Sequence, residues 1–212
     1  MKDRSLPVPQ GHALLPFHLE LPVPVRIRDI VAASLGLILL SPFMAYVAFR
    51  VWLSSKGPVF FVQERIGQGG KAFRMYKFRS MYTNAEQEGP SLAAAGDIRI
   101  TAFGRIIRKW RMDELPQLWN VLKGDMTLVG PRPERQYYID RITDYAPNYT
   151  RLLLLKPGLT SLGIVNFGYA SSVEEMVERQ RYDQYYLENR SSGLDTLILI
   201  STLDIILHRK GK

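Results

Sequence analysis

Two adjacent carboxylates, Asp113 and Glu114, lie in the most chemically dense stretch of the chain, RIIRKWRMDELPQLWNVLKGDMTLVGPRP over Arg105 to Pro133. Four cations, Arg105, Arg108, Lys109 and Arg111, precede them, and Arg132 follows between Pro131 and Pro133. Carboxylates at a predicted helix start gain from the helix dipole, and so does a bound anion. An ionised Asp113 in such a phosphate-attracting field can coordinate Mg2+ or attack phosphorus as a nucleophile. The structural alternative is that Asp113 caps the helix and Glu114 is merely exposed. A glycosidase pair fits poorly, because its two carboxyl groups flank a sugar at roughly 5–10 Å and neighbours on a helix point apart. Arg132, planar, always charged and held on a Pro-flanked backbone, suits bidentate phosphate binding. Lys77 and Arg79 in YKFRSM can add charge from a neighbouring hairpin.

Composition narrows the chemistry. The chain has 212 residues, 46% of them hydrophobic, and a net charge of +8. That suits one domain with attachments, folded around a core. The lack of cysteine excludes a disulfide scaffold, Cys-ligated zinc and thiol catalysis. His12, His18 and His208 sit near the termini without ligand spacing, which disfavours a His metal site or a Ser-His-Asp triad. A basic excess suits nucleic acid, anionic lipid or a phosphorylated substrate. No helix-turn-helix, zinc-finger or RNA-binding signature is present, so nucleic acid is not an expected partner.

The elements that must position these groups begin with a Pro-rich leader over 1–25. Its prolines 7, 9, 16, 22 and 24 predict no regular helix. The run IVAASLGLILLSPFMAYVAFRVW, Ile30 to Trp52, carries no charge as far as Phe49 and is about long enough to cross a bilayer. Pro42 disfavours a straight helix, and Ser41 can return a hydroxyl hydrogen bond to the preceding turn. Arg26 and Arg28 precede the run, and Arg50 and Lys56 follow it, so both ends carry the mark of the cytoplasmic side. Residues 26–56 are therefore read as a re-entrant helix–break–helix. A buried core helix and a single kinked span are the alternatives.

Residues 57–212 read as one domain without an internal repeat. VFFVQERIG and AFRMYKFRSM predict a β-hairpin joined by GQGGK, whose glycines supply positive φ rather than a phosphate loop. Phe73, Met75, Phe78 and Met81 alternating with Arg74, Lys77 and Arg79 predict one basic face. Thr83 to Gly96 is a polar loop. Phe103, Ile106, Ile107 and Trp110 form an apolar stripe among cations, a helix for a membrane surface or for packing on the core. A second short helix runs from near Asp113 to Gly124. Later helices end at Pro147, cover Val173 to Arg190, and close the chain. Asp195 and Asp204 make the closing helix interfacial or core rather than spanning. The fold class is α+β, mostly helical with a small β-hairpin, an N-terminal re-entrant membrane helix and interfacial amphipathic helices.

Four separated segments agree in order and spacing with one known family: RIRDIVAASLGLILLSP, GPVFFVQERIGQGGKAFRMYKFRSM, DELPQLWNVLKGDMTLVGPRP and KPGLTSLGIVNFG. From about Val25 onward the chain resembles the bacterial sugar transferases, the monotopic polyprenyl-phosphate phosphoglycosyl transferases. The resemblance implies transfer of a sugar-1-phosphate from a UDP-sugar to undecaprenyl phosphate, with release of UMP. It implies the cytoplasmic face of the bacterial inner membrane and the first membrane step of a polysaccharide or glycan pathway. By the same match, Asp113 is the nucleophile of a phospho-sugar–aspartyl intermediate assisted by Mg2+, and Glu114 supports the metal or the positioning. Lys77, Arg108 and Arg132 map to phosphate-handling residues, and Ser41 and Pro42 map to the membrane-breaking pair. A homodimer is compatible with it. TSLGIVNFGYA departs from the pattern: no arginine follows Asn166, which leaves Arg151, Lys156 or another basic residue to substitute. The extra N-terminal membrane helices of larger relatives are absent from the text, so the catalytic core form is expected. Two other readings are a non-catalytic membrane-surface scaffold of a glycan assembly complex, and a soluble phosphosugar-binding protein with Ile30 to Trp52 as core.

Overall fold

The computed structural model describes residues 21–87, 89–93 and 96–208; prolines 7, 9 and 16 of the leader lie outside them. The helices are α1 (Val23–Ser54), α2 (Ala102–Lys109), α3 (Gln117–Lys123), α4 (Gln136–Tyr145), α5 (Leu162–Asn166), α6 (Val173–Asn189) and α7 (Ser192–Leu207). The strands are β1 (Phe60–Ile66), β2 (Ala72–Phe78), β3 (Thr127–Val129) and β4 (Gly158–Thr160).

α1 starts earlier than the prolines suggest. Pro22 is its N-cap and Pro24 falls in its first turn, where a missing N–H breaks no helical bond. The leader therefore ends before Val23. Pro42 lies inside α1 without interrupting it. Its missing N–H would orphan the carbonyl four residues back, which belongs to Ile38. Ser41 Oγ donates to that carbonyl at 2.8 Å. The expected break is thus a proline compensated within one continuous helix, by the hydroxyl the sequence pointed to.

α1 is not a core helix, since 11% of its most apolar window is buried. Leu35, Ile38, Leu39, Phe43 and Phe49 are exposed. Its two ends are nevertheless fastened to the same body. At the first end, Arg26 donates to the carbonyls of Val121 and Leu122 at 2.6 and 2.7 Å, closing the last turn of α3. Asp29 is fully buried and accepts from Thr127 Oγ1 at 2.5 Å. Arg28 bridges Asp29 and Asp195, and Tyr186 donates to Asp195 at 2.6 Å. At the second end, Val47 and Val51 pack with Phe78 and Ile107. Arg79 Nη2 donates to the Ser55 carbonyl at 2.6 Å.

β1 and β2 pair antiparallel in the register Phe61–Lys77 and Glu64–Arg74. Gly69 and Gly70 turn the hairpin with φ of 68° and 75°, as the glycine run predicts. The single basic face is not formed. Arg74 and Lys77 are separated by an odd number of positions, so they leave opposite faces of the strand. Arg74 is exposed opposite Glu64, while Lys77 turns inward. α2 seats Ile107 in the cluster with α1 and leaves Ile106 exposed. The main core gathers Met75, Val121, Met126, Val129, Ile142 and Ile198.

β3 and β4 form a parallel pair, Thr127 with Gly158 and Val129 with Thr160. Two glycines permit it. A Cβ on Gly158 would lie 2.2 Å from the Gly130 nitrogen, and one on Gly130 would lie 2.4 Å from the Lys156 carbonyl oxygen. Gly158→Ala is expected to destabilise the protein by about 1–3 kcal/mol, the range for overpacking, read as a lower melting temperature. A melting temperature equal to that of the wild type would contradict this steric reading.

Candidate active site

α2 ends at Lys109, and the chain reverses at Arg111, with φ 58° and ψ 17°. Among the described residues it is the only non-glycine with positive φ. An L-residue there costs roughly 1–2 kcal/mol. A 3-10 turn, Met112–Glu114, follows directly and carries both carboxylates. α3 begins only at Gln117, with Pro116 at its cap and no side-chain capping bond. The acid pair therefore precedes α3 instead of opening it, and the capping alternative does not hold. Asp113 and Glu114 are each 7% exposed.

Their surroundings differ. Glu114 Oε1 accepts from Lys77 Nζ at 2.8 Å and from Arg132 Nη2 at 3.2 Å, while Oε2 accepts from the Tyr169 hydroxyl at 3.1 Å. Asp113 Oδ1 is buried with no hydrogen-bond partner. Burial, with the charge of Glu114 adding to it, pushes Asp113 up to about 6 against the pull of Lys77, Arg108 and Arg111. Burial also acts to raise Glu114, but Lys77, Arg132 and Arg111 outweigh it and hold that carboxyl well below the usual range. Burial pushes the Tyr169 phenol up to about 12, so it remains a neutral donor. One carboxylate is a fixed counter-ion, and the other has a lone pair free to react.

Asp113, Glu114, Lys77 and Arg132 are thus brought together. Arg108 acts on Asp113 through its charge alone. Arg79, expected beside the phosphate contacts, is instead buried at the end of α1 on the Ser55 carbonyl. Arg151 pairs with Glu188 at 3.3 Å, and Lys156 lies near Arg26. Sequence reasoning counted Arg111 among the cations before the acid pair and did not single out Tyr169. Tyr169 bonds Glu114, and the Arg111 guanidinium lies 3.6 Å from the centroid of the Tyr169 ring. Only the departure from pattern after Asn166 hinted at Tyr169.

Buried polar contacts support this cluster from beneath. Asn120 Oδ1 accepts from the Tyr76 N–H at 3.1 Å, and Nδ2 donates to the Arg74 carbonyl at 2.7 Å. This stitch fixes β2, and with it Lys77, against α3. Glu134 lies between Arg65 at 3.1 Å and Arg179 at 2.6 Å, beneath the loop bearing Arg132. Asp183 accepts from the Gly163 N–H at 2.9 Å and also from the backbone N–H of Arg132.

The described residues contain no group of three or more His, Cys, Asp or Glu able to hold a metal. The oxygens of Glu114 already receive three donors, whereas Asp113 Oδ1 is open. That donor set fits Mg2+ shared between one carboxylate and substrate phosphates, not a protein cage.

A helical body fastened along an apolar helix, with a poised and an ionised carboxylate in a cage of cations, defines a class of protein shaped to handle phosphate. The chain belongs to the bacterial sugar transferase family, whose model matches residues 23–209. It is 44% identical over 182 residues to the UDP-N-acetylgalactosamine-undecaprenyl-phosphate N-acetylgalactosaminephosphotransferase of Aeromonas hydrophila, covering 86% of this chain and 43% of that protein. It is 38% identical over 180 residues to the UDP-glucose:undecaprenyl-phosphate glucose-1-phosphate transferase of Klebsiella pneumoniae, covering 84% and 39%. A like-named protein of Caulobacter vibrioides is 41% identical over 190 residues, covering 86% and 69%. The chain spans about two fifths of the length of the first two relatives.

Asp183 offers a test of the support. Burial pushes its pKa from 3.8 up to about 6. The native state then binds more protons than the unfolded state between these values, so stability falls as pH rises through them. Relative to Asp183→Asn, the wild-type melting temperature is expected to drop steadily between about pH 4 and 6 and to run parallel outside that window. A difference independent of pH would contradict the assignment.

Proposed function

We propose that this chain transfers a sugar-1-phosphate from a UDP-sugar to undecaprenyl phosphate, releasing UMP and leaving undecaprenyl-diphospho-sugar. The observation that carries the reading is the unpartnered, buried Asp113 Oδ1 beside a Glu114 whose charge is met on all sides. The named activities of the relatives support it.

Asp113 attacks the phosphorus attached to the sugar. An Asp113–phosphorus bond forms as the bridging P–O bond to UMP breaks, and UMP departs with that electron pair. A phosphate oxygen of the lipid then attacks the same phosphorus and frees Asp113. Covalent capture divides one reaction between two polyanions into two displacements. Lys77 and Arg132 face the incoming phosphates, and Arg108 adds charge beyond them. Glu114 orients Lys77 and Arg132 rather than reacting. Asp113 would hold a magnesium ion, whose chemistry there would be charge neutralisation for the leaving group. The intact acid pair argues against a non-catalytic scaffold.

The anchor completes the reading. Contacts of one body with both ends of α1 support an anchor that enters one leaflet and stays on one side instead of spanning. In this reading the site lies at headgroup height on the cytoplasmic face of a bacterial inner membrane, at the start of a polysaccharide or glycan pathway.

UMP release from a panel of UDP-sugars, with undecaprenyl phosphate and Mg2+, tests the chemistry. Asp113→Asn is expected to lower release by roughly a thousandfold or more, the scale of losing a covalent nucleophile. Turnover like that of the wild type in this variant would refute the role of Asp113. For the anchor, single cysteines placed before Arg26 and after Lys56, in a chain that has none of its own, are expected to label from the cytoplasmic side only. Labelling from opposite sides would mean a true span.

A further inference from the structure

The stretch after Asn166 holds a tyrosine and no cation, yet a cation reaches it from across the site. Arg111 Cζ lies 3.6 Å from the Tyr169 ring centroid. The ring is fixed by its hydroxyl, which donates to Glu114 Oε2 at 3.1 Å and lies 3.4 Å from Arg132 Nη1. We infer that Arg111 is a substrate-binding residue of this site, a guanidinium stacked on Tyr169 whose edge donors hold the anionic oxygens of a nucleoside diphosphate beside Asp113. The inference deepens the proposed reaction and rests on it.

The first support is which cations are already engaged. Lys77 and Arg132 are both bonded to Glu114. Arg111 makes no ion pair or side-chain hydrogen bond among the described residues. Its charge is nevertheless felt by both Asp113 and Glu114. An anion held there would be within the same field as the open carboxylate oxygen.

The second support is orientation. A guanidinium lying over an aromatic ring makes contact through its flat face, while its N–H donors point outward in the plane. Tyr169 therefore aims Arg111 without consuming its donors, which a carboxylate partner would do.

The third support is the backbone. Arg111 is held at φ 58°, where glycine would sit without strain. Strained residues persist where their surroundings over-determine them, and they gather at functional sites. Here the strained residue directly precedes the turn that presents Asp113.

The test measures UDP binding by calorimetry and UMP-release kinetics on the full chain in lipid nanodiscs. Arg111→Gly is expected to melt at or above the wild-type temperature, because the strain is relieved. The same variant is expected to weaken UDP binding and raise the KM for UDP-sugar by about tenfold to a hundredfold, the scale of losing charge-assisted hydrogen bonds. Its kcat should change less than its KM. Arg111→Gln, which retains a side chain over the ring, is expected to weaken UDP binding to the same degree. Wild-type affinity for UDP in either folded variant overturns the inference while the proposed reaction stands. If the wild-type chain neither binds UDP nor releases UMP from any UDP-sugar, the reaction falls and the inference falls with it.

Discussion

The site depends on the charge of Glu114. Three donors from three separate parts of the chain meet on it: Lys77 from β2, Arg132 from the loop after β3, and Tyr169 from the segment after α5. Desolvated cations repel one another and are costly without a partner. Glu114 offsets the cost of burying Lys77 and Arg132 together. Its own ionisation is secured by the same contacts, so the assembly is mutually supporting. Asp113 receives the opposite treatment from the same neighbour, because the Glu114 charge raises its pKa. Adjacent residues of near-identical chemistry acquire different roles through their partners alone.

What was legible in the sequence was local. The glycines of the hairpin turn and the hydrogen bond that Ser41 returns beside Pro42 rest on chemistry within a few residues, and both appear as expected, whereas the acid pair, expected at a helix start, forms its own turn before α3. What was not legible depends on distant segments. β3 and β4 are three residues each and meet only because two glycines let the backbones approach. Glu134 and Asp183 acquire their roles from Arg65, Arg179 and the backbone of Gly163, none of which is near in sequence. Tyr169 gave no signal beyond the arginine that was missing after Asn166. The basic face of the hairpin was misjudged for a simpler reason. Side chains alternate strictly along a strand, so Arg74 could not accompany Lys77, and beyond the strand Arg79 follows the end of α1 instead.

The arginines flanking the apolar run have two meanings at once. By charge alone they mark sidedness. By geometry Arg26 closes the last turn of α3, and Arg28 joins α1 to Asp195 on α7. Arg79 does the equivalent at the far end. Attachment at both ends is thus made by arginine, the residue type on which the charge reading of sidedness also rests.

The fastening of α1 at both ends bears on how the molecule is made. α1 precedes every element it contacts, and it supplies Ala33 to the main core and Val47 and Val51 to the second cluster. During synthesis α1 emerges before the elements it contacts, and they leave its outer apolar side exposed. The later elements then condense onto a helix that is already formed. Met112 and Leu115, which flank the acid pair, dock against Val47 and Val51, so the position of Asp113 is set against a helix translated before it.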